Sequence, residues 1–139
     1  MKKNGSKILV IDDDATVRTT LRESLELEGY EILEAADGQE GLDMVAAGKP
    51  PLVFLDLMMP GMSGIEVLDE MKRRKDLATT KVIVYSASGN RDWQIEVLEK
   101  GAWYYLDKDD PIEILLAITR NAQEARTAQQ AMLDGLRMV

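Results

Sequence analysis

Five short apolar runs alternate with five segments of helical character, and no other feature limits the fold of this 139-residue chain as tightly. Ile8-Leu9-Val10-Ile11, Glu31-Ile32-Leu33-Glu34-Ala35, Leu52-Val53-Phe54-Leu55, Val82-Ile83-Val84-Tyr85 and Trp103-Tyr104-Tyr105-Leu106 read as strands, most of them bounded by turn formers. Between them lie helices. The first follows Asp14, a candidate cap, and runs to about Glu28 with Gly29 as its stop; Val17, Leu21, Leu25 and Leu27 form its stripe. The second spans Gly38 to Ala47, with Leu42, Val45 and Ala46 inward. The third runs from Ile65 to Arg74 on Ile65, Leu68 and Met71, and the fourth from Arg91 to Lys100, ended by Gly101. A fifth starts near Ile112 and continues almost to the terminus. Strict strand–helix alternation predicts an α/β fold, a parallel sheet with helices on both faces. The economical arrangement is a flavodoxin-like, doubly wound five-stranded sheet in the order 2-1-3-4-5.

Composition narrows the chemistry. With no cysteine there is no disulfide, thiol nucleophile or thiolate metal site, and with no histidine the usual general base and transition-metal ligand are missing. Any metal must be held by oxygen, which points to magnesium or a similar hard cation. The net charge of -8 argues against direct nucleic-acid binding, which needs clustered Lys and Arg. No run approaches the roughly 18 apolar residues of a membrane span, and the stretch behind Met1-Lys2-Lys3-Asn4-Gly5-Ser6 stops at Asp12, too short for a secretory signal. A cytoplasmic location without membrane partners is expected.

In open α/β sheets ligands sit at the carboxyl ends of the strands. There the first strand ends in Asp12-Asp13-Asp14, the third in Asp56, the fourth in Ser86 and the fifth near Lys108. Asp56 is aimed into the loop by Leu57-Met58-Met59-Pro60-Gly61-Met62-Ser63-Gly64, whose proline and glycines force a tight path. Crowded carboxylates repel unless a divalent cation neutralises them. A hydroxyl and an ammonium opposite them supply what phosphoryl oxygens need. Each residue also has a plain structural reading: turn starter, helix cap or solvated lysine.

The segments Ile8–Asp14, Asp56–Gly64, Val84-Tyr85-Ser86-Ala87 and Gly101–Lys108 resemble the receiver domain of two-component response regulators, over residues 6–120. The resemblance implies that Asp56 is the phosphoacceptor, that a partner histidine kinase or phosphotransfer protein is the donor, and that Mg2+ is the cofactor. Asp12, Asp13, Asp56 and the backbone carbonyl of Met58 would hold the metal. Ser86 and Lys108 would bind the phosphoryl oxygens, and Tyr105 would follow Ser86 when the switch turns. The signal would leave through the surface of the fourth helix, fifth strand and fifth helix. The domain is then a signalling switch, not an enzyme, with at most self-phosphorylation from small phosphodonors and autodephosphorylation.

One departure stands out. The family usually has proline directly after the lysine, often with a cis bond; here Asp109 and Asp110 follow Lys108, and Pro111 comes late. A cis bond without proline costs about 2.5–4 kcal/mol, so a trans bond or an altered loop is expected. Met58 and Ser88 fall at the family's two variable positions beside the phosphorylation site. Trp93 and Trp103 fall on the side that resembles the output face.

Residues 121–139 form a helical extension whose Ala122, Ala125, Ala128, Met132 and Leu136 make a weak apolar stripe. It reads as a linker to an output domain or as a homodimer seam. Two other readings fit parts of the chain. Asp12-Asp13-Asp14-Ala15-Thr16 fits the Asp-x-Asp-x-Thr motif of haloacid-dehalogenase-like phosphatases but leaves the Asp56 loop unexplained. A pseudo-receiver that is never phosphorylated accounts for the altered loop after Lys108 but not for the full set of site residues.

Overall fold

A computed structural model describes residues 6–87 and 91–137. The amino-terminal Met1–Gly5 and the variable-position residue Ser88 lie outside the described residues. The chain divides into two units, Met1–Asp109 and Asp110–Val139.

The first unit holds all five strands of the sheet: β1 (Lys7–Ile11), β2 (Glu31–Ala35), β3 (Leu52–Leu55), β4 (Lys81–Ser86) and β5 (Tyr104–Asp107). They pair in parallel in the order β2-β1-β3-β4-β5, as the alternation predicts. The inner strands are buried on both sides, which is why β1 and β3 read as unbroken apolar runs. One set of alternating residues, Leu9, Ile11, Val53, Leu55, Val82 and Val84, packs in a single cluster with Leu42, Val45, Val67, Leu68, Met71 and Val97. Those residues belong to α2 (Gly38–Gly48), α3 (Gly64–Arg73) and α4 (Arg91–Glu99), which therefore share one face. The opposite set includes Ile8, Val10, Phe54 and Ile83, with the Phe54 and Tyr85 rings edge-on at 6.3 Å. The helix of that face is α1 (Ala15–Leu27), whose buried residues are Leu21 and Leu25.

Side-chain caps set where the helices begin. Asp14 accepts from the Thr16 N–H at 2.9 Å and starts α1. Asp37 does the same for α2 through Glu40 at 2.8 Å. Ser63 and Glu66 close a capping box, so α3 begins at Gly64, one residue before the predicted Ile65. Its buried stripe is Gly64, Val67, Leu68 and Met71, and the predicted Ile65 is half-buried and packs against the core cluster. Two predicted core residues face solvent: Leu27 is 88% exposed and Ala46 is exposed. Leu27 stands two positions past Leu25, more than half a helical turn off the stripe; Ala46 is a quarter-turn past Val45. A 3-10 turn, Asp76–Ala78, precedes β4.

The second unit is one helix, α5 (Ile112–Arg137), which continues through Gly135. Its buried residues are Leu115, Thr119 and Ala122, with the Thr119 hydroxyl donating to the Leu115 carbonyl at 2.7 Å. Of the predicted inward residues, Leu115 is buried, Ile118 half-buried and Ile114 44% exposed. Met132 and Leu136 are exposed. No helix among the described residues is long and apolar enough to cross a membrane.

Candidate functional site

Sheet register gathers the site. Ile11 pairs with Leu55, so the next residues, Asp12 and Asp56, leave neighbouring strands side by side. The Asp56 N–H donates to the Ile11 carbonyl at 3.0 Å, and the Asp12 N–H to the Ala35 carbonyl at 3.1 Å. On the far side Ser86 pairs with Asp107, and the Lys108 N–H donates to the Ser86 carbonyl at 3.0 Å. Four strand ends thus converge without any one segment having to reach across the sheet.

One carboxylate oxygen from each of Asp12, Asp13 and Asp56 lies within 4.8 Å of the others. Asp12 and Asp56 are buried and Asp13 is exposed. The Lys108 ammonium stands 2.8 Å from Asp12 Oδ2 and 3.4 Å from Asp56 Oδ1. A trio of hard oxygen donors open to solvent on the Asp13 side suits a divalent cation such as Mg2+. Ser86 is fully buried, and among the described residues its Oγ has no hydrogen-bond partner. A buried, unpaired hydroxyl carries a desolvation penalty that a ligand oxygen relieves.

Burial pushes the Asp56 carboxyl above the ordinary range, and the neighbouring Asp12 carboxylate adds to the rise. Lys108 and the Met58 N–H, 3.4 Å from Asp56 Oδ1, pull the other way without reversing it. For Lys108, burial opposes the charge, but the hydrogen bond to Asp12 and the attraction of both carboxylates outweigh it and hold the ammonium up. Lys108 is a charged partner; Asp56 is a carboxylate that ionises reluctantly.

The third aspartate of the run stands apart. Asp14 caps α1, as its position predicts, and is not in the carboxylate cluster, although it ends the same strand as Asp12 and Asp13. This also costs the haloacid-dehalogenase-like reading its second aspartate. The loop after Lys108 uses a local device where the family has proline. The Asp107 carboxylate accepts from the Asp109 N–H at 2.8 Å, a bond a proline could not donate. No described peptide bond is cis, as expected for Lys108-Asp109.

Tyr105 is half-buried, pairs with Val84 and packs on the α2–α4 face. Ser86, two residues beyond Val84, points to that same face. The Met58 side chain is 61% exposed. Trp93 is half-buried against the core cluster, and Trp103 is half-buried with its ring 6.3 Å from that of Tyr104.

A second layer escaped the sequence reading. Arg18 on α1 donates through Nη1 to the Asp12 carbonyl at 2.7 Å, and through Nε to Glu34 at 3.1 Å. Arg22 pairs with the other Glu34 oxygen. In the sequence these are ordinary helix and strand charges; only the pairing of Val10 with Glu34 brings them beside the end of β1.

Comparison with known proteins agrees with this geometry. The family model of the response regulator receiver domain matches residues 8–120. The phosphate regulon transcriptional regulatory protein PhoB of Pseudomonas aeruginosa is 39% identical over 75% of this chain and 45% of its own length. The response regulator MprA of Mycolicibacterium vanbaalenii is 40% identical over 82% of this chain and 48% of its own. This chain therefore spans about half the length of the curated relatives it matches. The response regulator TrrA of Thermotoga maritima, solved in complex with Mg(2+)-BeF, superposes with a TM-score of 0.75 at 33% identity, covering 84% of this chain and 98% of that one. With the fold, the strand-end cluster and a family match over most of its length, the chain belongs to the response regulator receiver domain family, the phosphoacceptor switches of two-component signalling.

Proposed function

We propose that Asp56 is the residue phosphorylated. Its carboxylate oxygen attacks the phosphorus of a phosphohistidine on a partner histidine kinase or phosphotransfer protein. The P–N bond breaks, the imidazole leaves with the electron pair, and an acyl phosphate forms on Asp56. Asp12, Asp13, Asp56 and the Met58 backbone carbonyl are the candidate holders of Mg2+. When bound, the ion supplies positive charge that offsets the repulsion between the carboxylates and the incoming phosphoryl oxygens. Lys108 supplies a second positive group, and the Ser86 hydroxyl donates to a phosphoryl oxygen.

The observation that carries this reading is the meeting of three carboxylates, one ammonium and one unpartnered buried hydroxyl at four strand ends. A phosphoryl group adds roughly -1.5 to -2 charge, enough to draw Ser86 and Lys108 inward. Tyr105, on the face that Ser86 vacates, then follows. In this reading the changed surface includes α4 and β5, where Ile95, Leu98 and Tyr104 are exposed apolar groups suited to a partner or a second copy, and the resemblance adds α5. Residues 121–139 serve as a linker towards an output domain or as a dimer seam. The protein acts in the cytoplasm as a switch: it takes a phosphoryl group from the partner or from a small phosphodonor and hydrolyses its own acyl phosphate.

Labelling with a small phosphodonor such as acetyl phosphate in Mg2+, followed by mass analysis, tests the assignment. One phosphoryl group per chain is expected, lost in Asp56→Asn. Full labelling of that variant refutes it.

A further inference from the structure

We infer that Arg18, held by Glu34, is a positioning residue for the cation-binding limb; the inference rests on the reading of Asp12 and Asp13 as metal holders. The Asp12-Asp13 peptide is fixed from two directions. On its amino side, the Asp12 N–H is bonded into β2 through the Ala35 carbonyl at 3.1 Å. On its carboxyl side, the Asp12 carbonyl accepts from Arg18 Nη1 at 2.7 Å. The Asp12 carboxylate has direct supports of its own, the Asp14 N–H at 2.9 Å and Lys108 at 2.8 Å. Asp13 is exposed, and the peptide that joins it to Asp12 governs where its carboxylate can reach.

Arg18 suits this task by geometry and by burial. Its side chain is only 17% exposed, so water competes weakly for its donors. The guanidinium fork spends Nη1 on the carbonyl and Nε on Glu34 Oε1 at 3.1 Å, which fixes the plane of the group. Glu34 is itself anchored on β2, opposite Val10, and its second oxygen takes Arg22. The limb that carries Asp12 and Asp13 is thus tied to the sheet through a side chain that contacts no carboxylate of the cluster. A lysine at position 18 keeps the charge but cannot reproduce the fork. Arg22 is the internal control: same charge, same helix and same glutamate, with no bond to the Asp12 carbonyl.

Mg2+ titration by isothermal calorimetry on the full chain, in Arg18→Gln, Arg18→Lys and Arg22→Gln, reads the effect without phosphorylation. Arg18→Gln is expected to raise the dissociation constant at least fivefold, Arg18→Lys to recover part of that loss, and Arg22→Gln to change it less than twofold. Unfolding midpoints in EDTA report whether each variant is folded. If Arg18→Gln does not fold, Glu34→Gln takes its place, with an expected loss of at least twofold and larger than that of Arg22→Gln. A loss no greater than that of Arg22→Gln overturns the inference, because it leaves only a general charge effect. Wild-type protein that binds no Mg2+ overturns the metal reading itself, and this inference with it.

Discussion

Gly64 sets how closely α3 can approach the Asp56-Leu57 backbone, and replacing it with alanine isolates that constraint. Its φ is not among the positive values, so the need for glycine is steric, not conformational. A Cβ at this position meets the Asp56 carbonyl oxygen at 2.2 Å, the Leu57 Cα at 2.6 Å and the Asp56 carbonyl carbon at 2.9 Å. All three are backbone atoms, so no side-chain rotation relieves them. Carbon contacts are comfortable at roughly 3.5–4.0 Å, so the Asp56-Leu57 backbone and the start of α3 must separate by on the order of 1 Å. The Gly64 N–H to Leu57 carbonyl bond, 3.0 Å long, stretches with them. Overpacking of this kind costs about 1–3 kcal/mol, or about 3 °C of melting temperature per kcal/mol for a chain of this length. Two other glycines make the controls. Gly48 has nothing within 4 Å of a Cβ, and Gly61 has open space but a φ of +74°. Gly48→Ala should be neutral or slightly stabilising, and Gly61→Ala should cost about 1–2 kcal/mol through its backbone alone. Urea unfolding measures the stabilities, and acetyl phosphate labelling measures the site. Gly64→Ala should lose more labelling rate than Gly61→Ala at comparable stability, because only Gly64 presses on Asp56. A Gly64→Ala protein within 0.5 kcal/mol of wild type that labels normally would refute the close approach.

Three further outcomes follow from the same site. The raised Asp56 carboxyl means that the folded chain holds that proton more tightly than the unfolded chain. Its contribution to stability is therefore full below the unfolded value and is lost as pH rises through the folded value. Asp56→Asn should raise the melting temperature at neutral pH, with the gain shrinking on acidification; a less stable variant at neutral pH contradicts this. Ser86→Ala removes a buried hydroxyl without a partner among the described residues, so it should stabilise the resting protein by about 1 kcal/mol while slowing phosphoryl accumulation. Thermal melts and labelling time courses check the two halves, and lower stability would show that the hydroxyl is satisfied. Met58→Asn replaces an exposed apolar side chain near Asp56 with a polar one that can orient water; if Met58 shields the acyl phosphate from water, the phosphoryl half-life should shorten, and an unchanged dephosphorylation rate contradicts that shielding.

The strands and the residues at their ends were legible from period, and the strand order from strict strand–helix alternation with the economical doubly wound arrangement. A buried strand is an uninterrupted apolar run, and the first polar residue after it marks the sheet's carboxyl edge. Helix faces were less legible where one residue decides. In α3, Ile65, Leu68 and Met71 do pack on the core, but their spacing of three leaves out Gly64 and Val67, which complete the fully buried stripe. A glycine in that stripe gave no hydrophobic signal, and the Ser63–Glu66 capping box that marks the true start went unread. The Arg18–Glu34 layer was illegible for another reason. Charged residues sixteen apart on a helix and a strand carry no pattern of their own, and their meeting depends on register.

The side chains of the site do not balance one another by themselves. Among the described residues, three carboxylic acid groups face one ammonium, Lys108, so ionising all three leaves an excess of negative charge in the cluster. Asp56 responds by ionising reluctantly, and the Ser86 hydroxyl sits buried with nothing described to donate to. Filling the site with apolar groups would remove those costs but leave nothing for a phosphoryl group to change. A divalent cation matches the net charge, and a phosphoryl oxygen gives Ser86 its acceptor. In the proposed reading, each of these costs is relieved by one component of the phosphorylated, Mg2+-bound site. Arg18, Ala35 and Gly64 hold the loops after β1 and β3 against α1, β2 and α3, whereas Ser86, Lys108 and Tyr105 stand on β4 and β5 or just past them; in the proposed reading the response to phosphorylation falls on those three.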